Sequence, residues 1–140
     1  MADILTPLLT AIKALIDTDA STLFIRDNTN YRGLGLAPKT ATPPVFTWFM
    51  PVEGEESDFL SPGVEHYNDY PIQFTAATSE ESSALAVELI ETMLDALRGK
   101  RLTLSTGRNL SIDIGAPVFI EDPQSDGQMV AATVTFKTGS

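Results

Sequence analysis

Residues 70–98, YPIQFTAATSEESSALAVELIETMLDALR, read as a strand that runs into an amphipathic helix. Tyr70, Ile72, Phe74 and Ala76 alternate with Pro71, Gln73 and Thr75, the period of a half-buried strand. Thr78-Ser79-Glu80-Glu81 fits a capping box, with Thr78 as N-cap and Glu81 three positions on. Placed at 100° per residue, Leu85, Ala86, Leu89, Ile90, Met93, Leu94 and Leu97 cover an arc of roughly 180°, wider than the stripe of about 100° that packing on one surface requires. Glu80, Glu88, Glu91 and Asp95 fill the other side, and Gly99 follows Arg98 where a helix-ending glycine belongs. The surplus of apolar arc suggests a helix that also meets another subunit.

Outward from this stretch, Leu5, Leu8, Leu9, Ile12, Leu15 and Ile16 keep the helical period, with Asp3 or Thr6 as cap and Asp17-Thr18-Asp19 as the stop. Thr22 to Arg26 reads as a short strand. Asp27 to Pro44, with its asparagines, glycines and prolines, reads as a long loop. Val45 to Val52, VFTWFMPV, is a strand with Phe46, Trp48 and Met50 on one face and Phe49 on the other, and Pro51 suggests an edge. Glu53 to Asn68 is a second, acidic loop. After Gly99 only strands and turns follow: Leu102 to Leu104, Leu110 to Ile114, Val118 to Glu121, and a last strand with Val130, Ala132, Val134 and Phe136 on one face. The strong turn signal Asp122-Pro123-Gln124-Ser125-Asp126-Gly127 precedes it. The order α-β-β-β-α-β-β-β predicts an α+β fold: one mainly antiparallel β-sheet with two amphipathic helices packed on one face. No internal repeat and no second domain are visible, so residues 1–140 read as a single domain.

Composition narrows the chemistry. The chain has no cysteine, which removes disulfides, thiolate metal sites and cysteine nucleophiles. No apolar run is long enough to span a bilayer, and Met1-Ala2-Asp3 lacks the basic start of a signal peptide, so synthesis in the cytoplasm is expected. The net charge is −10, and no Lys or Arg occurs between Lys39 and Arg98. Such a surface repels phosphate, so DNA is expected to pass without specific binding.

Candidate reactive residues are few. His66 is the only histidine and reads as a solvated loop residue beside Glu65 and Asp69. No serine stands in a G-x-S-x-G setting, and Gly33-Leu34-Gly35 lacks the third glycine of a phosphate loop. No catalytic residue, metal ligand or cofactor is assigned, and the chain is not read as an enzyme. Glu53, Glu55, Glu56 and Asp58 lack calcium-loop spacing and are instead a candidate lumen-facing or partner-facing loop. Phe46, Trp48 and Phe49, on a strand apolar on both faces, and the basic residues Arg98 and Arg101 are candidates for a subunit or partner interface.

In pattern and order the chain resembles the tail terminator (tail completion) proteins of long-tailed bacteriophages and related phage-like particles. The residues that carry the resemblance are the helix LTPLLTAIKALI, the strand PPVFTWFMPV, the unit YPIQFTAATSEESSALAVELIETMLDAL and the terminal strand VAATVTFKTG. The resemblance implies a structural virion protein at the head-proximal end of a tail. It would form a ring, typically a hexamer, that stops polymerisation of the tail tube protein and offers a docking face to the head connector. The alternatives are another head-tail connector or neck (head completion) protein, and a stand-alone, non-catalytic binding domain.

Overall fold

The computed structural model describes residues 5–35, 37–38, 40–50, 69–78, 84–98, 101–107, 109–121 and 128–137. In chain order the elements are α1 (Leu5–Thr18), a 3₁₀ turn (Ala20–Thr22), α2 (Leu23–Asp27), β1 (Tyr31–Leu34), β2 (Val45–Phe49), β3 (Asp69–Thr78), α3 (Ala84–Leu97), β4 (Leu102–Thr103), β5 (Asn109–Ile114), β6 (Val118–Glu121) and β7 (Gln128–Lys137). The fold is α+β. One sheet runs in the order β1-β2-β3-β7-β5-β4, with β6 also paired to β7. Every pairing is antiparallel except β1 with β2.

The period-2 readings of β3 and β7 hold. Ile72, Phe74 and Ala76 are fully buried, as are Val130, Val134 and Phe136, and the two strands pair over their whole length from Asp69↔Lys137 to Thr78↔Gln128. These side chains form one face of the sheet and meet Leu89, Ile90, Met93 and Leu97 of α3, together with Leu8, Ile12 and Ile16 of α1. On β2, Phe46 joins this core and stacks on Phe74 with ring centroids 6.0 Å apart.

Three expectations need correction. The first concerns Thr22 to Arg26, which is not a strand. Its β-branched and aromatic residues favour a strand locally, but Asp19 caps a turn by accepting from Ser21 N at 2.9 Å, and the chain continues as helix. Thr22 is fully buried, and its hydroxyl lies 2.8 Å from the Leu15 carbonyl and 3.1 Å from that of Ile16. The Arg26 guanidinium donates to the Ile16 carbonyl at 2.7 Å and to the Thr22 hydroxyl at 2.9 Å. Together they satisfy the Ile16 carbonyl at the end of α1 and add a second donor to that of Leu15, which also accepts from Asp19 N at 3.1 Å; this tertiary arrangement outweighs strand propensity. Thr22→Val is therefore expected to cost about 1–3 kcal/mol, the penalty for buried polar groups left unpaired. Chemical denaturation checks this, and a change below about 0.5 kcal/mol would mean the hydroxyl is dispensable.

The second correction concerns β1, which forms inside the stretch expected to be loop. It pairs with β2 from Tyr31↔Val45 to Leu34↔Trp48. β2 is therefore an interior strand, and β1 takes the edge.

The third correction concerns α3. Its wide apolar arc is covered within the chain, because α3 packs between the sheet, through β3 and β7, and the α2 segment on its other side. The arc needs no second subunit. Thr78 is the last residue of β3, and its buried hydroxyl has no partner among the described residues. Ser79, Glu80 and Glu81, like Gly99 and the turn at 122–127, lie outside the described residues.

Between β5 and β6 the register with β7 slips by one, from Ile114↔Val134 to Val118↔Ala131. This is a bulge, and Gly115 sits in it. Gly115 N donates to Thr133 O at 2.9 Å, and a Cβ at this position would stand 2.8 Å from that oxygen. Only glycine lets the two backbones come this close. The bulge makes β5 and β6 successive neighbours on the same side of β7.

Candidate assembly surface

The sequence-derived site residues fall into three groups. Phe46 and Trp48 are 0% and 2% exposed inside the chain's own core. The chain itself covers nearly all of both, so little of either is left for a neighbour. Both point toward the helices. Phe49 is half-buried and belongs to the opposite face of β2. Arg98 and Arg101 are exposed beyond the end of α3, and Arg98 pairs with Asp95. Glu53, Glu55, Glu56, Asp58 and His66 lie outside the described residues.

Cavities open on the described surface. The first, of about 420 Å³, lies between α1 and the β1 end of the sheet and is lined by Thr6, Leu9, Thr10, Lys13, Gly33, Leu34 and Trp48. The second, of about 520 Å³, runs between α2 and α3, with Phe24 and Ala96 beside Glu88, Glu91 and Asp95. The third, of about 370 Å³, separates α1 from β4 and is walled by Ala11, Ala14 and Leu15 opposite Leu102, Thr103 and Ser105. The first and third cavities put α1 beside both ends of the sheet.

These cavities differ in the groups they gather, the second combining the carboxylates of Glu88, Glu91 and Asp95 with the hydroxyls of Ser21 and Thr92. The first is apolar with a single ammonium, and that Lys13 ammonium is 2.6 Å from the Asp17 carboxylate. The second carries carboxylates on an exposed helix face. Among the described residues no group of three or more His, Asp or Glu is placed to hold a metal ion. No described helix is long and apolar enough to cross a membrane. The described ion pairs, Lys13–Asp17, Arg98–Asp95 and Lys137–Asp113, are all at the surface, where such pairs contribute little.

The surface feature that the sequence reading missed is the condition of the sheet edges. Among the described residues, β1 pairs only with β2 and β6 only with β7. Large apolar side chains stand exposed at both places, Leu34 at 54% on β1 and Val118 at 58% on β6, with Leu23 of α2 at 49% elsewhere. Nothing in YRGL marks a strand, so Leu34 carried no sequence signal. Val118 belonged to a recognised strand, but its exposure depends on the bulge at Gly115.

No family model and no curated protein matches the chain in sequence. Among solved structures, a chain from the virion of a native gene transfer agent particle superposes with a TM-score of 0.71 at 13% identity, covering 100% of both chains. The two chains share a fold. The resemblance to phage-like particles read from the sequence therefore holds at the level of architecture. Two weaker similarities fall below the level at which a shared fold can be argued. One is to the sheath/tube terminator of an extracellular contractile injection system in its extended state, with a TM-score of 0.43, 12% identity, and coverage of 100% of this chain and 58% of that one. The other is to a protein from Akkermansia muciniphila, with a TM-score of 0.38, 8% identity, and coverage of 69% and 42%.

Proposed function

We propose that the chain is a structural subunit of a phage-type tail. Copies form a ring, six-fold by the family resemblance, at the head-proximal end of the tail tube; the ring stops tube polymerisation and presents a docking face to the head connector. The observation that carries this reading is the end-to-end fold match to a chain of the gene transfer agent virion, which leaves no part of either chain unaccounted for. One further feature supports it: among the described residues the sheet ends in strands unpaired on one side, a condition that soluble monomers usually guard against. Phe49, Arg98 and Arg101 remain proposed contact residues, and Glu53, Glu55, Glu56 and Asp58 a proposed lumen or partner loop.

Co-expression with the cognate tail tube protein tests the proposal. Negative-stain images should show tubes of uniform length with a ring at one end, and tubes of unregulated length with no bound ring would refute it. A lumen that conducts DNA must not hold it. At a net charge of −10, duplex DNA should not be retained at physiological salt and micromolar protein. A gel shift that weakens as salt rises would reveal a basic groove and contradict this expectation.

A further inference from the structure

We infer that neighbouring copies join head-to-tail through their sheets, the β1 edge of one copy pairing with the β6 edge of the next. The inference rests on the ring reading above and specifies its contact.

Three observations point to it. Among the described residues, β1 and β6 are each unpaired on one side and stand at opposite ends of the same sheet, so one copy presents two different edges. An unpaired strand edge is a row of backbone donors and acceptors that another strand can satisfy. Of the large apolar residues exposed among the described residues, Leu34 and Val118 lie on these two edges. The apolar cavity of about 420 Å³ borders β1 through Gly33 and Leu34, leaving space for a neighbour's side chain next to the new strand pair.

Pairing β1 with β1 or β6 with β6 would use up two copies and stop, whereas the unlike pairing leaves each copy one edge for the next. Contacts between unlike patches propagate from copy to copy and close into a ring when the rotation allows. Leu34 shares the helix-bearing face with its register partner Trp48, whereas Val118 is in register with Ala131 on the opposite face. The two side chains thus mark the two faces of one continued sheet.

The test uses one variant per edge, Leu34→Asp and Val118→Asp, with Leu23→Asp on α2 as the control. All three positions are exposed, so the folded monomer should persist by circular dichroism; Leu34→Lys and Val118→Lys replace any variant that does not fold. In sedimentation experiments each edge variant alone should raise the concentration needed for assembly by roughly tenfold or more, the effect of losing one buried aliphatic side chain. The control should assemble as the wild type does. An equimolar mixture of the two edge variants should give dimers and nothing larger, because each partner keeps the one intact edge that the other needs. Rings from either edge variant at wild-type concentrations, no dimer in the mixture, or disruption by Leu23→Asp alone would overturn the edge contact while leaving the ring standing. A wild-type chain that never assembles, alone or with the tube protein, would overturn the ring and this contact together.

Discussion

Leu89→Asp is expected to unfold the domain. Leu89 is fully buried on the face of α3 that meets the sheet, in the same cluster as Phe74, Val134 and Phe136. A carboxylate there meets only apolar neighbours. It must either bury its charge or stay protonated at the cost of several kcal/mol, and the branched aliphatic packing is lost as well. That loss is comparable to the whole stability of a domain this size, roughly 5–15 kcal/mol. Loss of the far-ultraviolet helical signal and of a cooperative melt would confirm it. A soluble variant with unchanged spectrum and melting temperature would remove Leu89 from the core.

The second large effect is expected at Phe74→Ala. Phe74 is fully buried at the centre of the sheet, with Trp48 of β2 on one side and Ala132 of β7 on the other. Its ring also stacks on Phe46 at 6.0 Å. Truncation leaves a cavity between three strands that are fixed by backbone hydrogen bonds and collapse little, so a loss of about 3–5 kcal/mol is expected. Urea titration should show a lower midpoint with an unchanged slope. A loss under about 1 kcal/mol would mean that neighbouring helices refill the space.

These two residues are legible in the sequence because they belong to long periodic elements. The alternation in β3 and β7 and the helical spacing in α1 and α3 mark the core without reference to distant partners. What the sequence hides depends on groups far away in the chain. The strand propensity of Thr22-Leu23-Phe24-Ile25-Arg26 is overruled by the Ile16 carbonyl at the end of α1, which Thr22 and Arg26 satisfy. β1 is short and polar, and exists because β2 offers it a parallel partner. The apolar arc of α3 has the width that its spacing indicates, but α2 covers its second side, and nothing in the strand-like pattern of residues 22–26 announces that helix. Phe46 and Trp48 read as contact residues for the same reason; with β1 at the edge and helices above β2, both are interior.

The assembly surface is the least legible part. Periodicity reports which residues a chain buries within itself and is silent about those it leaves for a neighbour. Leu34 and Val118 stand out only once strand order and the bulge at Gly115 define where the sheet ends.

Sedimentation of the purified chain across the micromolar range, alone and with its tail tube protein, tests the central claim most directly. The account predicts growth from a 15.1 kDa monomer to a single closed species of about six times that mass, with no larger polymers, as heterologous contacts that close require. Persistence of the monomer at every concentration and in the presence of the tube protein would contradict it.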